Sequence, residues 1–117
     1  MSREKGIFYE QEALKYLKNQ GLIYLAENYK ACGGEVDLIM QSLDTIVFIE
    51  VKARANTKFG FGHEFINTQK QYRLMKAAKH YLNRQRKPHL WHARFDVVSF
   101  DGDNLTWIKA AFGEEGF

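Results

Sequence analysis

Within the stretch Gly33 to Lys52, GGEVDLIMQSLDTIVFIEVK, three charged residues could act together chemically: Asp37, Glu50 and Lys52. Two carboxylates facing one another in a partly buried place repel unless a cation neutralises them, which suits a hard divalent ion with oxygen ligands. A lysine one strand step beyond the second carboxylate can orient or help deprotonate the attacking water, or stabilise charge at phosphorus. This is the layout of metal-assisted phosphodiester hydrolysis. A surface hairpin carrying the same residues as exposed cross-strand ion pairs is the alternative, and an Asp followed by Glu-x-Lys does not separate the two.

Whether the three groups meet depends on the elements that carry them. Glu35 to Met40 and Thr45 to Val51 read as the strands of a β-hairpin joined through the polar segment Gln41 to Asp44. Alternation puts Val47, Ile49 and Val51 on one face of the second strand and Phe48, Glu50 and Lys52 on the other. In the first strand Val36, Leu38 and Met40 share a face, and Asp37 points the opposite way with Glu35 and Ile39. An even connection centred between Leu43 and Asp44 sets Asp37 directly across from Glu50, whereas an odd one separates them.

Gly34-Glu35-Val36-Asp37-Leu38-Ile39 followed by Val47-Phe48-Ile49-Glu50-Val51-Lys52 resembles the active-site hairpin of the PD-(D/E)xK nuclease superfamily. More narrowly it resembles the YraN-like bacterial family, which is similar to archaeal Holliday junction resolvases. The resemblance runs over nearly the whole chain, through Gly6, Glu10, Ala13, Tyr16-Leu17, Gly21, Asn28-Tyr29, Phe59-Gly60, Lys70, Ala78, Tyr81-Leu82, Arg94-Phe95-Asp96 and Ala111-Phe112. Where that family usually has Gly-Glu near the start, this chain has Tyr9-Glu10.

The resemblance implies an α/β fold with a restriction-endonuclease-like αβββαβ core, a mixed central sheet flanked by helices. It implies Mg²⁺ or Mn²⁺ held by Asp37, Glu50 and the Val51 carbonyl with Glu10 assisting, and Lys52 orienting the attacking water. It further implies cuts leaving a 5′-phosphate and a 3′-hydroxyl, a double-stranded or branched DNA substrate, and a homodimer for symmetric cutting of two strands. Two other readings stay open: a nucleic-acid-binding or adaptor module that retains the site with little turnover, and a nuclease acting on RNA.

The remaining pattern agrees with that order of elements. Ile7 to Gln20 is helical, with Ile7, Ala13, Leu14 and Leu17 along one stripe. Glu10 lies in the same stripe, either reaching toward the hairpin carboxylates or favoured in the first turn by the helix dipole. Leu22 to Lys30 reads as a strand, and Gly33-Gly34 as the turn into the hairpin. Ala53 to Asn67, containing Phe59-Gly60-Phe61-Gly62, has no regular period and reads as a flap over the site or an ordinary surface loop.

A second helix spans Thr68 to Gln85, capped by Asn67 or Thr68. Leu74, Met75, Ala78, Tyr81 and Leu82 form its apolar face, while Arg73, Lys76, His80, Arg84 and Lys87 form a cationic stripe opposite. Lys70 flanks both stripes and, as its family position suggests, is a candidate phosphate contact. Pro88 ends the helix; His92 to Phe100 reads as a strand, Asp101 to Asn104 as a turn, and a last strand runs through Trp107 and Ile108. Arg94 and Asp96 read as structural partners. His89, His92 and Cys32 lack the spacing of a four-ligand metal site. The tail from Gly113 to Phe117 is expected to fray.

The chain's 117 residues, 45% hydrophobic and 15% aromatic, suffice for one compact domain with a core. MSREKG has no apolar run of a signal peptide, no segment is long enough to span a bilayer, and Cys32 is the single cysteine, so a cytoplasmic location is expected. Between Phe65 and Phe95 lie eight Lys and Arg and no Asp or Glu, against nine basic and fourteen acidic residues elsewhere. That split points to a polyanion-facing side, although solvated helix faces are often lysine-rich too.

Overall fold

One sheet with an apolar surface on each side, each covered by a helix, accounts for the order of the elements. The computed structural model describes residues 3–54, 67–85 and 92–112. They form α1 (Arg3–Asn19), β1 (Ile23–Ala31), β2 (Gly34–Ser42), β3 (Thr45–Arg54), α2 (Thr68–Arg84), β4 (His92–Asp101) and β5 (Asn104–Phe112). Of the expected flap, Ala53 and Arg54 end β3 and Asn67 caps α2; the rest of it, together with Lys87, Pro88, His89 and the tail, lies outside the described residues.

The strands lie in the order β1-β2-β3-β4-β5. All neighbours are antiparallel except β3 and β4, which are parallel and therefore need a crossover connection, the one that contains α2. This is a mixed α/β fold with a restriction-endonuclease-like αβββαβ core. Among the described residues no helix is long and apolar enough to cross a membrane.

Alternation in β3 divides the core. Val47, Ile49 and Val51 join Leu38, Met40, Val98 and Phe100 under Ala13, Leu14 and Leu17 of α1. On the other side Ile46 and Phe48 join Ile39 and Phe95 under Leu74, Met75, Ala77 and Ala78 of α2. Each fully buried aliphatic or aromatic side chain contributes about 1.5–3 kcal/mol. The α2 N-terminus is fixed by Asn67, whose side-chain oxygen accepts from the Lys70 backbone N–H at 2.8 Å. Its start is pressed against β2, since a Cβ on Gly34 would stand 2.8 Å from the Arg73 carbonyl carbon.

The structure departs from simple periodicity at several points. Ile7 is half exposed, because that end of α1 borders an open groove. A register shift between Tyr24 and Ala26 breaks the alternation of β1, leaving Ile23 exposed while Leu25 and Ala26 both pack on the α2 side. Val36 also packs on the α2 side, not with Leu38 and Met40. Asn28, lying between the Glu27–Leu38 and Tyr29–Val36 pairs, has φ 50° and interrupts the extended chain at that level. Finally, β5 continues to Phe112 through a register shift opposite Asp96.

That last irregularity is stabilised by one fully buried carboxylate. Asp96 accepts from Arg94 Nε at 3.0 Å, from Trp107 Nε1 at 2.9 Å and from the backbone N–H of Ala110, a residue at φ 52°, at 2.9 Å. Arg94 and Asp96 are thus structural partners. His92 approaches Asp44 at 3.6 Å, at the opposite end of the strands from Lys52.

Candidate active site

The β2–β3 connection consists of Leu43 and Asp44 alone, with Ser42 paired to Thr45 and Leu38 to Ile49. The connection is even, and one further step of the same register sets Asp37 opposite Glu50. Both side chains leave on the α2 side, the face opposite Leu38 and Ile49. Past Leu38 the ladder yields to a side chain: Asp37 Oδ2 accepts the Val51 backbone N–H at 2.8 Å. The bond fixes the carboxyl beside the second strand and brings Val51 into the site.

Asp37 and Glu50 line a cavity of about 150 Å³ with Gly33, Gly34, Glu35, Lys70, Arg73 and Leu74. Burial, reinforced by the hydrogen bond to Glu50 and its charge, pushes the Asp37 carboxyl up to about 9; the Val51 N–H pulls the other way and Glu10 adds a smaller push upward. Burial alone would raise Glu50 as well. Its close contacts with Asp37 and Lys70 outweigh that cost and hold it below the ordinary glutamate value. Of the two carboxyls, Asp37 is therefore the one that holds its proton and Glu50 the one that gives it up more readily.

Glu50 Oε2 lies 2.8 Å from Lys70 Nζ, yet the angles leave that buried oxygen without a well-formed hydrogen bond. Lys52 is half-buried beside them. Burial, aided by a hydrogen bond with Lys70, lowers its pKa, with Glu50 opposing. Lys70 moves in the other direction: burial would lower it, but Glu50 dominates and raises it above the ordinary lysine value. Two lysines in one cluster thus differ, one held as an ammonium and the other eased toward the neutral amine.

Glu10 stands at the edge of this cluster. Its Oε1 accepts from Asn28 Nδ2 at 3.1 Å, and both residues line a neighbouring groove with Gly6, Ile7, Lys30 and Glu35. Glu35 borders the groove and the carboxylate cavity alike. Among the described residues no three His, Cys, Asp or Glu side chains are grouped closely enough to hold an ion together. Asp37 and Glu50 are the close pair, with Glu10 one step removed.

The cationic stripe of α2 is less uniform than its spacing suggests. Arg73 lines the carboxylate cavity, Lys76 lies over the Tyr72 ring at 5.1 Å, and His80 Nδ1 is hydrogen-bonded with the Tyr29 hydroxyl at 2.7 Å. Arg84 is exposed in the last turn. Periodicity does not disclose that Lys70 grips Glu50, nor that Asn28 holds Glu10. The legible signal for the first is Gly34, since only a residue without Cβ lets the hairpin approach α2 this closely.

A family model described as "Uncharacterised protein family UPF0102" matches residues 9–100. A UPF0102 protein of Legionella pneumophila is 45% identical over 114 residues, covering 96% of this chain and 97% of that protein. Another from Klebsiella pneumoniae is 42% identical over 115 residues, covering 97% and 90%. A third, from Vibrio parahaemolyticus, is 41% identical over 114 residues, covering 96% and 94%. With matches of that extent, the chain belongs to the UPF0102 (YraN) family.

Proposed function

We propose that this protein is a divalent-metal-dependent endonuclease that hydrolyses DNA phosphodiester bonds, with branched or junction DNA among its candidate substrates. The observation that carries the reading is the Asp37 carboxyl set across from Glu50 and tied to the Val51 N–H at 2.8 Å. The donor set fits a hard cation: two oxygen-bearing side chains, one of them raised in pKa by burial and by the other, and a buried Glu50 oxygen lacking a good hydrogen bond.

Asp37, Glu50 and the Val51 carbonyl would hold Mg²⁺ or Mn²⁺, with Glu10 acting from the adjoining groove. The ion would supply Lewis-acid stabilisation of charge at phosphorus and a more acidic water. Lys52, its amine favoured by burial, orients the attacking water and can take up its proton. Lys70, Arg73, Lys76, His80, Arg84 and Lys87 supply the phosphate-facing side. We assign the protein to the cytosol, where the free thiol of Cys32 stays reduced.

The contact of Lys70 with Glu50 favours a second reading, a DNA-binding or adaptor module whose internal cation replaces the metal. Cleavage assays with Mg²⁺ or Mn²⁺ on linear duplex, single-stranded and four-way-junction DNA, with an RNA control, separate the two. The nuclease reading expects Glu50→Ala and Lys52→Ala to abolish cutting while the fold persists. Cutting that survives both substitutions belongs to a contaminant. Salt-sensitive binding without cutting by the wild type selects the module.

A further inference from the structure

Lys70 Nζ sits 2.8 Å from Glu50 Oε2, the oxygen that a cation at the carboxylate pair would claim. The lysine reaches it from the first turn of α2, an element whose place is fixed by the Asn67 cap and by the close approach of Gly34 to Arg73. Its side chain is one-third exposed, whereas that of Glu50 is almost fully covered. The Glu50 end of the pair is therefore held in place and the Lys70 end is free to turn. Arg73, one helical turn further on, faces the same cavity.

Charge balance links the two ends of this pair to two different ligands. A divalent ion taken up by Asp37 and Glu50 satisfies both carboxylates, so the Lys70 ammonium loses its partner and is repelled by the new charge. Its stem keeps it at the cavity, beside Arg73, where a phosphate can replace Glu50. We propose that Lys70 is an exchangeable counter-cation: it neutralises Glu50 in the ion-free protein and passes to a substrate phosphate when a divalent ion takes Glu50. Lys70 is then a positioning residue that couples the two binding events. By linkage, an ion that frees Lys70 tightens phosphate binding, and bound phosphate tightens the ion by the same factor.

The proposal deepens the nuclease reading and rests on it, and it predicts opposite signs for two ligands. Replacing Lys70 by Met keeps the stem and removes the charge. Mn²⁺ binding by titration calorimetry, without nucleic acid, is expected to tighten about tenfold in Lys70→Met, the loss of a competing, partly exposed ion pair. Binding of a short duplex DNA in Ca²⁺, read by fluorescence anisotropy against salt, is expected to weaken, with the log–log slope reduced by about one. Lys70→Arg, which keeps the charge, is expected to restore both. A purely structural lysine would give weaker binding of both ligands, and that result, or Mn²⁺ affinity unchanged in Lys70→Met, overturns the proposal while leaving the metal site standing. Absence of Mn²⁺ binding by the wild type itself overturns the nuclease reading and this proposal together.

Discussion

The proton shared by Asp37 and Glu50 makes stability depend on pH in a direction opposite to that of most carboxylates. Asp37 titrates at 3.8 in an unperturbed chain and at about 9 in the folded protein. Between those values the folded state binds one proton more than the unfolded state, so its contribution is complete below pH 3.8 and is lost as pH rises toward 9. The slope is about 1.4 kcal/mol per pH unit, or about 4 kcal/mol from pH 5 to pH 8. That is a large part of the 5–15 kcal/mol typical of a domain, and so is readily measured. The lowered pKa of Glu50 acts below its ordinary 4.5, outside this window.

Asp37→Asn keeps the shape and removes the titration. Urea unfolding in the presence of a chelator, followed from about pH 5 to about pH 8, is expected to show the wild type losing stability relative to the variant. Contributions from the histidines and from Lys52 cancel to first order in the difference. Mn²⁺ should abolish the slope in the wild type, because the ion displaces the proton, and the proton released should be countable by calorimetry in buffers of different ionisation enthalpy. Parallel stability curves for wild type and Asp37→Asn would refute the shared proton and the burial argument behind it.

Asp96→Leu strands the Trp107 N–H and the Ala110 N–H and leaves Arg94 without its carboxylate, so chemical denaturation should show a loss of about 3–5 kcal/mol. Gly34→Ala drives a Cβ into the Arg73 carbonyl and should cost about 1–3 kcal/mol by thermal melting, with far-ultraviolet circular dichroism unchanged. Arg73→Glu combined with Lys76→Glu should weaken DNA binding and reduce its salt slope by about two; unchanged affinity would assign that stripe to solvation.

The hairpin and α2 are legible in the sequence because each rests on a short-range period. Alternation through Val47, Phe48, Ile49, Glu50 and Val51 needs only the pleat, and the Leu74, Met75 and Ala78 face needs only the helical repeat. What periodicity cannot supply lies at irregular backbone. Asn28 at φ 50° and Ala110 at φ 52° break their strands without a glycine to announce it, and the Tyr24–Ala26 shift reverses faces partway along β1. The contact of Lys70 with Glu50 is equally hidden, since it depends on how α2 docks over the sheet, a long-range fact encoded at Gly34. Ile7 is exposed despite its place in the stripe, because a helical stripe tells which side is apolar but not how far the sheet beneath it extends.

The two-residue turn at Leu43 and Asp44 has a consequence for how relatives of this chain can vary in length. Leu43 is 90% exposed and touches none of the chemistry, and Asp37 lies six residues, or about 20 Å, down the ribbon. Even so, a single codon gained or lost at that tip that slid one edge past the other would send the aspartate to the far side, parting the carboxylate pair without altering one of its members. Insertions at this solvent-facing tip should therefore be tolerated in twos and purged in ones.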